Sequence, residues 1–145
     1  MDIEDLQHIE AIKQLKARYF RFLDEKRLDD FALVFAEDAE IDVTDDVGDE
    51  GGHVQGRQAI ADFIRQAVEK AQTVHHGHMP EIEIQGPDRA TGVWAMFDYV
   101  EFPVEGTTRN GLKGYGHYHE NYVLREDRWQ IARMRLARLR IDPLK

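Results

Sequence analysis

The spacing of apolar side chains changes once along this chain, near residue 73, and that change limits the folds open to it. Before this point apolar residues recur every three or four positions, which is typical of a helix with one buried face. Beyond it they alternate with polar residues, which is typical of a strand with one buried face. The sequence therefore predicts a helical half followed by a half that forms a sheet.

The helical half contains three predicted helices and one short strand. The first helix has apolar side chains on one face from Leu6 to Leu23, with lysine and glutamate on the other. The helices are predicted at 5–26, 29–36 and 57–71, the strand at 39–43, and an acidic, glycine-rich loop at 45–52.

The sheet half contains four long predicted strands separated by tight turns, at 73–85, 90–103, 112–125 and 128–140. This order of elements predicts one α+β domain over residues 1–145, in which the helices pack on one face of a strongly curved antiparallel sheet. The strand at 90–103 is apolar on both faces. Its second face therefore predicts contact with another subunit, and hence a homo-oligomer.

Composition restricts the partners of the chain. Its net charge of −9 at pH 7 disfavours nucleic-acid binding, which requires a basic surface. No apolar run approaches the roughly 20 residues of a membrane span, and the acidic start at residues 1–5 lacks the features of a signal peptide. We therefore expect a cytoplasmic protein that binds neither nucleic acid nor membranes. Without cysteine the chain has no disulfide and no thiolate nucleophile.

Three of the seven histidines lie within four residues at the start of the first long strand, as His75, His76 and His78. Histidine can bind or release a proton near neutral pH. A carboxylate that holds one ring nitrogen would make His75 a general base. Two carboxylates are candidates for this partner: Asp24, at the end of the first helix, and Asp98, in the middle of an aromatic strand.

A metal site is an alternative use of the histidines. His76 and His78 share one strand face, and His117 and His119 share a face of a later strand. Three or four imidazoles with a carboxylate can hold zinc, iron or nickel if the two pairs converge. The pairs can also be separated by the whole sheet, so the metal site is the minor hypothesis.

Aromatic side chains are candidates for contact with a ligand. Tyr19 lies on the apolar face of the first helix, and Tyr118 lies in the third long strand. A tyrosine hydroxyl in an apolar cavity can donate a hydrogen bond to a developing oxyanion. We add His117 and Trp94 to these candidates for substrate binding.

Four arginines in the last strand form a further group of candidates. Arg133 and Arg135 are predicted to share one face, and Arg138 and Arg140 the other, absent a bulge. Most of them are expected to form surface ion pairs, but one could enter a pocket and bind an anionic group. From this series we select Arg135.

Several of these segments resemble one family. The motifs are Leu15-x3-Tyr19-x4-Asp24, Phe35-Ala36-Glu37-Asp38-Ala39, Val74-His75-His76-Gly77, and Gly116-x-Tyr118-x3-Tyr122 followed by Trp129-x-Ile131. Over nearly the whole chain they resemble the SnoaL-like branch of the nuclear-transport-factor-2-like superfamily. The resemblance implies a cone-shaped α+β fold with a pocket between the helices and a mixed, mostly antiparallel sheet.

Within this superfamily the chain resembles three groups of cofactor-free lyases: γ-hexachlorocyclohexane dehydrochlorinase, bile-acid 7α-dehydratase and scytalone dehydratase. The dehydrochlorinase pattern pairs a strand histidine with an aspartate at the end of the first helix, which correspond to His75 and Asp24. The bile-acid enzyme pattern corresponds to Tyr19, Asp24, His75 and Asp98 together. The resemblance implies that no cofactor is needed, that the substrate is a small apolar or polycyclic molecule, and that the subunits form trimers or dimers.

The principal hypothesis is therefore a cofactor-independent lyase or isomerase of the dehydratase, dehydrohalogenase or cyclase type. His75 would remove a proton from carbon, Asp24 or Asp98 would orient its ring, and Tyr19 would donate a hydrogen bond to the leaving or carbonyl oxygen. The alternatives are a non-catalytic module that binds a small ligand and, third, a metal-dependent enzyme.

One geometric problem accompanies this hypothesis. Strict alternation places His75 on the opposite face from Ile82 and Ile84. Either a bulge or bend at Gly77 or Pro80 restores a common face, or the isoleucines contact another subunit.

Overall fold

The predicted boundary between helices and sheet is present in the computed structural model, which describes all 145 residues. The first part of the chain forms α1 (Ile3–Asp24), α2 (Leu28–Ala32), β1 (Phe35–Asp42), α3 (Thr44–Val47), β2 (His53–Gln55) and α4 (Arg57–Val68). The second part forms the long strands β3 (Gln72–Ile84), β4 (Arg89–Glu105), β5 (Thr108–Arg125) and β6 (Arg128–Pro143). None of the helices combines the length and the apolar character needed to cross a bilayer.

The six strands form one curved, unclosed sheet in the order β2-β1-β6-β5-β4-β3. Every neighbouring pair is antiparallel except β1 and β6, which are parallel. The helices pack on one face of this sheet, called here the inner face; the opposite side is the outer face. The predicted α+β class, with a mixed and mostly antiparallel sheet, is confirmed.

Helix α1 begins with a capping box, in which the Asp2 carboxylate accepts a hydrogen bond from the Asp5 backbone N–H at 2.8 Å. Further along, its buried side chains recur with the helical period and form one stripe along the helix: Ile12, Leu15, Lys16, Tyr19 and Leu23. Asp24 follows directly, as the last residue of the helix. The stripe therefore fixes the position at which this carboxylate meets the sheet.

A bulge in β3 resolves the problem of the two isoleucines. His75 pairs with Asp98, but the register shifts between His78 and Glu81, so one extra residue lies in β3. Met79 in this segment has a φ of 41°. Beyond the bulge Ile82 pairs with Gly92, on the same inner face as His75. The bulge, not a subunit contact, is thus the reason that the isoleucines and His75 share a face.

The largest error of the sequence prediction concerns the second helix. It ends at Ala32 rather than at residue 36, and β1 begins at Phe35 rather than at residue 39. Phe35 pairs with Ile131 of β6, and the Ile131 N–H donates to the Val34 carbonyl at 2.9 Å. Pairing with a distant strand therefore overrides the local helical pattern. The predicted loop also contains the single-turn helix α3, and β2 was not predicted.

Candidate active site

A cavity of about 270 Å³ lies between α1, α4 and the inner face of the sheet. Fifteen of its 19 lining residues are hydrophobic, and the four others are Asp46, His75, Asp98 and Arg138. An apolar cavity with a few converging polar groups is the usual form of a small-molecule site. A larger surface groove of about 410 Å³, between α1 and the β5–β6 turn, has no histidine in its lining.

The imidazole of His75 is held by the carboxylate of Asp24. The His75 Nδ1 lies 2.7 Å from one Asp24 oxygen, and the His75 backbone N–H donates to the other at 2.8 Å. The Thr73 hydroxyl adds a third hydrogen bond to Asp24, at 3.0 Å. Because a carboxylate accepts hydrogen bonds, this contact assigns the proton of the neutral ring to Nδ1. The lone pair is then on Nε2, while the His75 side chain is only 8% exposed.

The second candidate carboxylate, Asp98, has a different partner. Arg138 donates to its two oxygens at 2.7 and 2.9 Å, in a bidentate ion pair. The nearest Asp98 oxygen lies 3.9 Å from the His75 Nε2, which is beyond hydrogen-bond distance. Asp24 therefore orients the imidazole, whereas Asp98 contributes negative charge close to the free ring nitrogen.

Arg138 also binds the segment that closes one side of the cavity. Its Nε donates to Asp46 of α3 at 2.7 Å, and its backbone N–H donates to Asp45 at 2.8 Å. The carboxylates on both sides raise the pKa of the guanidinium above its ordinary value, although burial opposes this rise. Arg138 is thus a permanent cation between the sheet and α3.

Gly114 makes room for the Asp98–Arg138 pair. It pairs with Asp98 in the sheet, and a methyl group at this position would collide with both the Arg138 guanidinium and the Asp98 carboxylate. No larger residue therefore fits here while the two side chains remain in contact.

Tyr19 and Tyr118 form the floor of the cavity, with their ring centroids 5.9 Å apart. Burial raises the pKa of both phenols, and the nearby Glu120 charge raises that of Tyr19 further. Both phenols are consequently protonated at neutral pH and can act as hydrogen-bond donors.

The structure brings five of the eight predicted site residues together around the cavity and separates the other three. The five are Tyr19, Asp24, His75, Asp98 and Tyr118. Trp94 is buried behind the cavity, where its Nε1 donates to the Tyr122 hydroxyl at 2.9 Å. His117 and Arg135 require a correction, because both lie on the outer face: the His117 ring is beside that of His119, and Arg135 is 4.0 Å from Asp42.

Arg138, not Arg135, is the arginine of the site. Arg138 follows the buried Met134 and Leu136 by four and two residues. Alternation along the strand therefore indicates that its side chain points to the inner face. The predicted pairing of Arg138 with Arg140 on one face is wrong. The register of β6 shifts at Leu139, so Arg140 pairs with Tyr115 on the outer face.

Four further histidines, His76, His78, His117 and His119, lie on the outer face of the sheet. His76 and His78 have ring centroids 6.0 Å apart, and those of His117 and His119 are 6.3 Å apart. No group of three or more histidine, aspartate or glutamate side chains is arranged so that it could hold a metal ion. The four imidazoles therefore do not converge as the metal hypothesis required.

The buried tyrosines give the site a testable pH dependence. Burial raises the pKa of Tyr19, Tyr118 and Tyr122 above the ordinary value of 10.0. From about pH 10 upward the unfolded chain thus loses protons that the folded chain keeps, so the free energy of unfolding falls as pH rises. We expect phenolate absorbance to show that these three of the five tyrosines ionise only on unfolding. Reversible ionisation of all five in the folded protein would contradict this burial.

The fold of this chain recurs among solved structures. A proposed scytalone dehydratase from Novosphingobium aromaticivorans superposes with a TM-score of 0.84 at 19% identity, over 97% of this chain and 90% of that one. The type 3 hexachlorocyclohexane dehydrochlorinase LinA from Novosphingobium barchaimii gives a TM-score of 0.82 at 21% identity, over 99% and 94%. A Nostoc punctiforme protein of unknown function with a cystatin-like fold gives 0.68 at 16% identity, over 88% of each chain.

At these identities the structural similarities establish a shared fold. The sequence adds a family assignment, because the family described as the SnoaL-like domain matches residues 4–135. This match includes nearly all of α1, the whole of β3 to β5 and the first half of β6. The chain therefore belongs to the SnoaL-like domain family.

Proposed function

We propose that this protein is a cofactor-independent lyase or isomerase in which His75 removes a proton from a carbon atom of a small, largely apolar substrate. The observation that supports this most strongly is the fixed imidazole, which is held at Nδ1 by Asp24 at 2.7 Å within the wall of an apolar cavity. A general base needs a free lone pair within reach of the substrate. Nε2 of His75 meets this requirement.

Two carboxylates stabilise the imidazolium that forms when His75 accepts the proton. Asp24 is in direct contact with the ring, and Asp98 is 3.9 Å from Nε2. Charges interact more strongly in such a cavity than in water, because few water molecules screen them. Both oxygens of Asp98 accept hydrogen bonds from Arg138, at 2.7 and 2.9 Å, so this carboxylate is held in place beside the ring.

The leaving group faces hydrogen-bond donors. Tyr19 and Tyr118 line the same cavity as His75, and their hydroxyls can donate to an oxygen or halogen that gains negative charge. In an elimination, the electrons of the C–H bond form the new C=C bond while the leaving group departs with the electrons of its own bond. The proton on His75 then passes to the departing group or to solvent. In an isomerisation it returns to another carbon.

The lining limits the class of substrate. Because 15 of 19 lining residues are hydrophobic, the bulk of the ligand is apolar, and a single polar function would face the His75 wall. The structural relatives include proteins named as a scytalone dehydratase and a hexachlorocyclohexane dehydrochlorinase. These names suggest elimination of water or hydrogen chloride as the first reactions to examine.

The alternative is a module that binds a small ligand without chemistry. A cavity lined by apolar side chains alone would favour it. The presence of His75, Asp98 and Arg138 in the lining favours the enzyme, because burial of ionisable groups costs free energy that the binding of an apolar ligand does not require.

Substitution of His75 tests the proposed reaction. Scytalone and γ-hexachlorocyclohexane are assayed first, for release of water and of chloride. On a substrate that is turned over, we expect His75→Ala and Asp24→Asn to lower kcat/KM by about 10²- to 10⁴-fold, because each removes the oriented base. His53→Ala is the matched control, since His53 is an exposed histidine of β2 that does not line the cavity. Full activity in both variants would refute the assignment of the base.

We also propose that the outer face of the sheet contacts a second copy of the chain. Val93, Ala95 and Phe97 form an apolar row along β4 on this face, only partly buried in the single chain. Phe97 packs between the rings of His76 and Tyr115, at 6.1 and 5.5 Å. Contiguous exposed apolar surface on a sheet is characteristic of an interface.

A charge at the centre of this row tests the assembly. We expect the wild-type protein to sediment as a dimer or trimer and Phe97→Glu to sediment as a monomer, because the buried carboxylate would be unpaired. Leu33→Glu is the control, since Leu33 is 50% exposed but lies beside α2, away from the outer face. A monomeric wild-type protein, or an unchanged mass for Phe97→Glu, would contradict the proposed interface.

A further inference from the structure

An ion pair lies beneath the floor of the cavity, and the proposed reaction does not use it. Lys16 of α1 and Glu120 of β5 are both fully buried, with Nζ and the carboxylate 2.7 Å apart. Neither residue lines the cavity. Lysine and glutamate are among the residues least often buried in proteins, so their presence behind a candidate active site requires an explanation.

The Lys16 ammonium lies directly against the two cavity tyrosines. Its Nζ is 3.6 Å from the centroid of the Tyr19 ring and 3.7 Å from that of the Tyr118 ring. A cation at this distance over an aromatic face is attracted by the electron density of the ring. Lys16 thus contacts both rings of the floor at once, from the side opposite the ligand.

Glu120 holds the ammonium in this place. One carboxylate oxygen binds Lys16, and the other accepts a hydrogen bond from the Tyr122 hydroxyl at 2.7 Å. That hydroxyl in turn accepts from the Trp94 Nε1 at 2.9 Å. Both carboxylate oxygens are therefore occupied, and the ammonium has little freedom to move away from the rings.

Stability alone does not account for this arrangement. A buried ion pair is often no more stabilising than well-packed apolar residues of similar volume, because both charges lose their hydration. A methionine or leucine at position 16 would continue the apolar stripe formed by Ile12, Leu15 and Tyr19. The position of the charge, between two phenol rings, points instead to an effect on those phenols.

We propose that Lys16 is a positioning residue of the active site, which orients Tyr19 and Tyr118 and strengthens their hydroxyls as donors to an oxygen that becomes negative in the cavity. The inference rests on the proposed function, since it assigns the developing oxyanion to the two tyrosines that line the same cavity as His75. A positive charge under each ring withdraws electron density from the phenol, so the O–H group becomes a stronger donor.

The charges around Lys16 agree with this role. Burial lowers the pKa of Lys16 to about 8, while Glu120 opposes that decrease, so the ammonium is charged at neutral pH. The Glu120 charge by itself raises the pKa of Tyr19 and would make its hydroxyl a poorer donor. The ammonium lies between that carboxylate and the rings, and offsets its effect.

The test uses two aromatic probes of nearly equal shape, the anion 2,4-dinitrophenolate and the neutral 2,4-dinitrotoluene, titrated by calorimetry at neutral pH. The informative variant is Lys16→Met/Glu120→Gln, which removes both charges and retains an acceptor for Tyr122. The single variant Lys16→Met leaves the buried Glu120 carboxylate without its partner. Only its folding is compared with that of the double variant. Lys13→Met is the matched control, because it removes a positive charge from the exposed side of the same helix.

We expect the wild-type protein and Lys13→Met to prefer the anion. We expect the double variant to lose about tenfold of that preference while binding 2,4-dinitrotoluene as before. A preference for the anion that is as strong in the double variant as in the wild-type protein would overturn the inference. The absence of such a preference in the wild-type protein would also overturn it. A double variant that does not fold would assign the pair a purely structural role and would equally contradict it. None of these outcomes depends on His75. A failure of the role proposed for Lys16 is therefore distinguishable from a failure of the assignment of His75 as the base.

Discussion

The architecture of the site depends on the carboxylate of Asp24, at the point where α1 meets β3. It accepts hydrogen bonds from the Thr73 hydroxyl, the His75 backbone N–H and the His75 ring, at 3.0, 2.8 and 2.7 Å. These bonds join the helix that forms one wall of the cavity to the edge strand of the sheet. They also fix which ring nitrogen is free. One side chain therefore couples the packing of the fold to the proposed chemistry, and a shift of α1 relative to β3 would disturb both.

The two carboxylates of the site bind different partners and therefore have different roles. Asp24 binds an imidazole, and Asp98 binds a guanidinium through both oxygens. Because Arg138 binds both oxygens of Asp98, this carboxylate lies 3.9 Å from the His75 Nε2 without forming a hydrogen bond to that nitrogen. The ionic groups follow one another along a single wall, whereas the rest of the cavity is apolar. Such segregation keeps each buried charge paired and leaves the remaining volume for an apolar ligand.

Periodicity predicted the parts of this arrangement that depend on one element alone. Alternation in β3 separates His75 from His76, and the stripe of α1 ends at Asp24. Features that depend on two distant elements were missed. Phe35 lies in a strand because it pairs with Ile131, and Arg140 leaves the inner face because β6 has a bulge at Leu139. Lys16 fits the helical stripe by its spacing, but its burial requires Glu120 from a strand about 100 residues later, and sequence periodicity contains no sign of that pairing.

The tautomer of His75 tests the central claim most directly, because the base requires its proton on Nδ1 and its lone pair on Nε2. Two-dimensional NMR of the ¹⁵N-labelled protein, with His75→Ala to assign the signals, distinguishes the two ring nitrogens. The Asp24–His75 contact predicts that in the neutral ring Nδ1 is protonated, and that Asp24→Asn perturbs this state. A neutral His75 ring with its proton on Nε2, or a ring unaffected by Asp24→Asn, would contradict the account.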